Sequence, residues 1–265
     1  MYDFTYHRPS SLEEARTHLE TAAEPALLAG GMTLIPVLKQ RLAIHSDLID
    51  LGGVEKLKGI REEDGGLVIG AMMDHAAVAG STLVRTRIPA LAQLAGSIGD
   101  PQVRNRGTLG GSIANNDPAA DYPAVLLGLG ATIKTDRRVI AADDFFTDLF
   151  ETALEDAEII TAVSFPVPEQ AGYAKFPQPA SRFALVGVFV ARGPAGTRVA
   201  VTGAGPCVFR VAEMEAALSV DFAPDALAGI SIDTEGLNAD IHAGAEYRAH
   251  LITVLAGRAV TAAAV

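Results

Sequence analysis

The segment Thr108-Leu109-Gly110-Gly111-Ser112-Ile113-Ala114-Asn115-Asn116-Asp117-Pro118-Ala119-Ala120-Asp121 carries the densest chemical signal in the chain. A glycine pair stands between two small hydroxyls, and an acid closes the segment just before the apolar run Tyr122–Leu129. A second glycine pair occurs in Ala29-Gly30-Gly31-Met32-Thr33. It follows the short apolar run Ala26-Leu27-Leu28-Ala29, which reads as a buried strand entering a tight turn. Thr33 then stands where a helix cap would, ahead of Leu38–Leu42, with Pro36 in the first turn, where proline is tolerated. Glycine reaches positive φ at little cost, so such a pair lets successive N–H groups point into one concavity. At a helix N-terminus that concavity also carries partial positive charge and suits phosphate oxygens. Either loop alone is equally an ordinary strand–helix turn. Together they read as one split site for the diphosphate of a dinucleotide.

Outward from these loops the chain alternates short helical and extended patterns. Ser11-Leu12-Glu13-Glu14 has capping-box spacing and opens a helix in which Leu12, Ala15 and Leu19 recur at helical period. Asp47–Leu51 alternates polar and apolar residues as a strand does. Gly59–Gly70 reads as a hairpin turning at Asp64-Gly65. Asp74 caps a helix over His75–Gly80, and Pro89 starts another that runs to Ser97. Tyr122–Leu129 is either a helix or buried extended chain. Ala131–Lys134 and Glu158–Phe165 read as strands, and Asp143–Phe146 as a short helical segment. Two prolines and a glycine in Pro166–Gly172 mark the best domain boundary. Beyond it come strands at Phe183–Ala191 and Thr197–Thr202, then helices at Val211–Leu218 and Glu246–Ala264, with an alanine-rich, fraying end at Ala259–Val265. The pattern is α+β: residues 1–168 (subdivided near 1–55 and 56–168), then a smaller α+β unit over 172–265.

Composition removes whole classes of function. Hydrophobic residues make up 49% and charged residues 20%, the balance of a folded water-facing protein. The net charge of -11 repels nucleic acid and anionic membrane surfaces. No apolar stretch approaches the ~18 residues needed to cross a bilayer. Asp3 and Arg8 interrupt the first residues, which do not read as a signal peptide, so the cytoplasm is the expected location. One cysteine, Cys207, excludes a disulfide within the chain and a thiolate-held cluster or zinc site; it reads as a packing thiol. The six histidines do not fall at metal-ligand spacing and read as surface or cap residues. There is no Gly-x-Gly-x-x-Gly after a strand, which disfavours a doubly wound nicotinamide fold. Arg104 and Arg106 precede the second loop; each taken singly reads first as a solvated loop residue, and the two could offset phosphate charge. Asp121 could accept hydrogen bonds from adenosine-side hydroxyls or simply cap the helix at Tyr122.

Gln102-Val103-Arg104-Asn105-Arg106-Gly107-Thr108-Leu109-Gly110-Gly111-Ser112-Ile113-Ala114-Asn115, followed by Pro118 and Asp121, resembles the flavin-binding signature of the molybdenum hydroxylases. The nearest type is the FAD-binding medium subunit of carbon monoxide dehydrogenase and its aldehyde- and xanthine-oxidising relatives. Ala29–Leu34 resembles that family's first pyrophosphate loop. Tyr173-Ala174-Lys175-Phe176 with Ser181-Arg182-Phe183-Ala184 resembles the start of its C-terminal domain. The resemblance implies a PCMH/VAO-type FAD-binding domain followed by a small sheet-plus-helices domain. It implies FAD contacts at Ala29, Gly30, Gly31, Met32 and Thr33, and at Thr108, Leu109, Gly110, Gly111 and Ser112. Asp121 falls where relatives place an acid near adenosine, and Lys175 near a lysine used beside the flavin. Met32 stands where relatives often carry a polar residue. No catalytic residue and no metal ligand are implied.

The resemblance further implies partners: a large subunit with the molybdenum cofactor and a small subunit with [2Fe–2S] clusters, assembled as a dimer of heterotrimers. FAD would take electrons from the clusters and pass them to quinone, NAD or oxygen. Such a complex is cytoplasmic, with peripheral contact at the inner membrane face as one option. The residues alone leave two other readings open: a self-contained flavin oxidoreductase, and a scaffold without cofactor.

Overall fold

The computed structural model describes residues 1–263. Short helices alternate with three sheets and a two-stranded ribbon, as the α+β reading expects. The first sheet is parallel, in the order Thr5–His7, Asp47–Asp50, Pro25–Leu28. Parallel neighbours need a crossover: helix Leu34–Lys39 lies in the one from Pro25–Leu28 to Asp47–Asp50, and helix Leu12–Thr21 links the two outer strands. Ser11 starts that helix by accepting the Glu14 amide at 3.2 Å, while the Glu14 carboxylate accepts the Ser10 amide at 2.7 Å. The capping box is therefore real, with its return leg shifted by one residue.

The second sheet is antiparallel, in the order Ile60–Glu63, Gly66–Gly70, Ile160–Phe165, Thr132–Thr135, Val139–Ala141. Asp64 and Gly65 both take positive φ, 51° and 77°, as a two-residue Asp-Gly hairpin turn requires. The third sheet is the antiparallel meander Gln170–Pro177, Ala184–Gly193, Gly196–Thr202, Phe209–Arg210. Helix Ala245–Ala263 packs across it so closely that a Cβ at Gly172 would lie 2.0 Å from the Ala259 carbonyl oxygen. The expected end of that helix at Ala264, and the last residues of the alanine-rich tail, lie outside the described residues.

Tyr122–Leu129 is a helix, and all eight of its residues are buried. It lies between the second and third sheets, with Gly128 packed on the Phe189 ring. A helix apolar all round has no wet face, which is why its sequence could not be told from buried extended chain. One continuous core runs from Leu67 through this helix to Tyr173, Phe189 and Val208.

Three local expectations change. The helix expected to run from a Thr33 cap through Leu38 to Leu42 covers Leu34–Lys39; Thr33 stands at its N-cap but makes no side-chain cap, and the chain turns away at Arg41, φ 60°. Thr82–Arg87 and Pro101–Arg104 form short helices. Most consequential, the second glycine pair is not loop. Leu109–Asn115 is a helix, capped by Thr108 Oγ1 accepting the Gly111 amide at 3.1 Å. It ends at Asn116, whose φ is 43°. The Asn116 side-chain amide donates to the Asp148 and Glu151 carbonyls at 2.8 and 2.7 Å, which holds this strained end in place.

Candidate functional site

Both glycine pairs border one cleft of about 520 Å³. Ala29, Gly30, Gly31, Met32 and Thr33 line it from one side, and Thr108, Gly110, Gly111 and Ser112 from the other. The walls touch: a Cβ at Gly30 would sit 2.0 Å from the Arg106 carbonyl oxygen, and one at Gly111 would sit 3.4 Å from the Ala29 Cβ. Glycine is thus required at position 30 for the close approach itself. At Gly31 it is required for φ 73°.

The two walls differ in what they offer. Among the described residues, no backbone carbonyl or side-chain acceptor takes the amides of Gly30, Gly31, Met32 or Thr33. These residues line the cleft just ahead of helix Leu34–Lys39, and their amides remain available to a ligand. The second wall has spent its donors. Leu109 N–H donates to the Met73 carbonyl at 2.9 Å and Gly110 N–H to Ala71 at 2.8 Å. Gly111 N–H goes to Thr108 Oγ1 and Ser112 N–H to the Thr108 carbonyl. Ser112 can still offer its hydroxyl. Leu109 departs from its expected place: its side chain is wholly buried in the core and does not line the cleft.

The flanking charges are also redistributed. Arg104 and Arg106 do not line the cleft. The Arg104 guanidinium donates to the Ile98 and Gly99 carbonyls at 3.0 and 3.1 Å, bracing a turn. Arg106 contributes its carbonyl, against Gly30. Arg182 is the one lysine or arginine lining the cleft among the described residues. Its signal was present in Ser181–Phe183, some seventy residues downstream, but nothing in the sequence places that turn here.

Asp121 lines the cleft's far end; it holds the N-cap position of helix Tyr122–Leu129, but its side chain makes no capping bond. Its Oδ1 accepts from the Tyr173 hydroxyl at 2.5 Å and lies 2.9 Å from Lys175 Nζ. Burial raises the Asp121 carboxyl above the usual range, and Lys175 and Tyr173 work against that shift by favouring its charged form. Lys175 also donates to the Ser97 and Arg182 carbonyls at 3.1 and 3.2 Å. It borders a neighbouring cavity and not the cleft. Thr202 Oγ1 donates to the Ala120 carbonyl at 2.6 Å, so the third sheet clasps the whole 118–121 segment.

His75 was not anticipated. It was expected at the surface or a cap, yet it is 4% exposed and lines the cleft. Burial, with the charge of Arg104, pushes its pKa down to about 4 against the pull of Asp74. The sequence showed only a capping aspartate before a small helix. The residue's burial comes from Gly107 and Tyr122, both distant in the chain.

The residues present therefore fit a dinucleotide diphosphate: free amides opposite a glycine-thinned wall that a Cβ would fill. No group of three or more metal-ligating side chains occurs among the described residues.

Comparisons with known proteins give this geometry a family. The profile of the FAD binding domain in molybdopterin dehydrogenase matches residues 2–168. The medium subunit of nicotine 6-hydroxylase from Paenarthrobacter nicotinovorans is 36% identical, over 97% of this chain and 96% of its own. The carbon monoxide dehydrogenase medium chain of Hydrogenophaga pseudoflava is 34% identical, over 98% and 96%. A solved structure of carbon monoxide dehydrogenase from the same organism, lacking the molybdenum–pyranopterin moiety, superposes with a TM-score of 0.88 over 99% of this chain and 97% of its own, at 34% identity. Quinoline 2-oxidoreductase from Pseudomonas putida 86 gives 0.89 over 99% and 97%, at 29% identity. The chain belongs to the FAD-binding subunits of the molybdenum-containing dehydrogenases and hydroxylases.

Proposed function

We propose that residues 1–168 hold FAD in the cleft between the two glycine-bearing walls, with residues 172–265 bracing its far end through the bonds of Lys175 and Tyr173 to Asp121. The observation that carries this is the run of uncommitted amides from Gly30 to Thr33. They bind diphosphate oxygens by backbone donation without adding charge, which suits a cleft with one arginine. Met32 binds through its amide, so its apolar side chain is no obstacle. Thr108 fixes the opposing helix, Gly110 and Gly111 thin it, and Ser112 adds a hydroxyl. Asp121, held by Lys175, shapes the adenosine end. FAD supplies the redox chemistry when bound; the chain positions it and limits water around it.

The chain then serves as the electron-carrying medium subunit of a heteromeric molybdenum hydroxylase. Electrons arrive from [2Fe–2S] clusters on a small subunit, supplied by a large molybdenum-cofactor subunit, and leave to an external acceptor. The single cysteine supports this division of labour, because these residues cannot themselves ligate such clusters. The assembly is a cytoplasmic dimer of heterotrimers. Among the described residues no helix is long and apolar enough to cross a membrane.

The test is purification of a tagged chain co-expressed with its neighbouring genes. The proposal expects molybdenum, iron and FAD in one assembly, with the flavin band bleaching on addition of the complex's substrate. An active monomer containing FAD alone would overturn the partner assignment.

A further inference from the structure

Two histidines, His45 and His75, line the cleft among the described residues, and His75 packs directly against the second glycine-bearing wall. Its amide donates to the Gly107 carbonyl at 3.0 Å, and Asp74 pairs with Thr108 across a single β-bridge. The ring is wedged tightly: a Cβ at Gly107 would come within 2.5 Å of His75 Nε2. On Gly107's other side lies Gly30, whose own Cβ would fall 2.8 Å from Gly107 Cα. His75 thus stands where the two walls meet, beside the free amides of Gly30–Thr33.

The fold gives no reason for an imidazole at this place. Nδ1 is sealed from solvent and has no hydrogen-bond partner. The Tyr122 ring lies 5.3 Å away and its hydroxyl is likewise unpartnered. An unsatisfied buried polar atom is destabilising, and a leucine of similar volume would carry no such cost. The cheaper tautomer keeps Nδ1 unprotonated, because a bare acceptor orphans no N–H. That leaves the proton on Nε2, at the Gly107 edge of the cleft.

We propose that His75 is a further cofactor-binding residue, donating from Nε2 to an oxygen of the chain that joins the two halves of the dinucleotide. This rests on the FAD assignment above and deepens it. The bond is neutral and complements the backbone donors opposite. It supplies from the second wall the donor which that wall's own amides, already committed, do not.

The test compares wild type with His75→Leu and His75→Gln by FAD titration, read from flavin fluorescence, alongside the thermal stability of each apoprotein. His75→Leu should weaken FAD affinity by about tenfold or more while apo Tm stays at or above wild type, and His75→Gln, which keeps an N–H donor, should stay within about threefold. The ring signal of His75 in wild type should also shift on FAD saturation, a readout that needs no variant to fold. Equal affinity in His75→Leu, a loss of affinity that merely tracks a fall in apo Tm, or an unmoved ring signal overturns the assignment of His75 alone. A wild-type chain that binds no FAD overturns both this and the reading beneath it.

Discussion

Two glycine pairs with small hydroxyls around them look interchangeable in the sequence, yet they do different work. Ala29–Thr33 leaves four consecutive amides free and uses glycine to reach φ 73° and to touch Arg106. Thr108–Ser112 is the first turn of a helix whose amides are committed to Met73, Ala71 and Thr108. There glycine makes room: a Cβ at Gly110 would meet the Ala71 Cβ at 2.7 Å. One wall donates and the other gives shape. A glycine pair is thus a statement about local crowding or backbone angle, and only the hydrogen-bond ledger tells which groups remain for a ligand.

Substitutions can break or sharpen this contrast. The largest effect on FAD binding is expected at the contact between the walls. Gly30→Val drives a side chain into the Arg106 carbonyl and should abolish FAD binding, with about 1–3 kcal/mol of stability lost, measured by titration and denaturant unfolding. Next comes the anchor of the second wall. Lys175→Met leaves the buried Asp121 without its cation and should cost about 3–5 kcal/mol, recovered in large part by adding Asp121→Asn. Gly31→Ala forces a side chain into positive φ and towards Ile35, straining the donor wall by about 1–2 kcal/mol. It should weaken FAD roughly tenfold by turning the amides aside. The smallest effect belongs to the shaping wall: Thr108→Val removes a helix cap and should cost about 1 kcal/mol of stability, with FAD affinity changed less than about threefold. A larger loss of FAD binding in Thr108→Val than in Gly31→Ala would reverse the roles given to the two walls.

Much of this was legible in the residues. The Asp64-Gly65 hairpin, the Asp74 cap and the strands Ala184–Gly193 and Gly196–Thr202 follow from local chemistry, and local chemistry is what a sequence displays; the strand Gln170–Pro177 does not, since it starts within the segment read as a domain boundary. The glycine pairs and their partnership came through as well, because close approach and positive φ leave few residue choices. What stayed hidden depends on long-range contacts. Leu109–Asn115 reads as loop because two glycines weaken any helix; it forms because Thr108 caps it and residues 71–73 take its first amides. Asp121 looked like a cap or an adenosine acceptor, and its bonds to Tyr173 and Lys175 join positions more than fifty residues apart. Arg104 reads as a solvated loop residue or a partner for phosphate, and no local pattern reveals that two backbone carbonyls claim it. His75 is buried by Gly107 and Tyr122, so its place in the cleft wall has no signature near position 75.

The division between donor wall and shaping wall is best examined amide by amide, by following backbone N–H signals and their exchange with and without saturating FAD. The account predicts large shifts and new protection at Gly30, Gly31, Met32 and Thr33, with little change in protection at Leu109, Gly110 and Gly111, whose donors are already engaged. No saturable FAD binding, or protection gained at Leu109–Gly111 with Gly30–Thr33 unmoved, would contradict it.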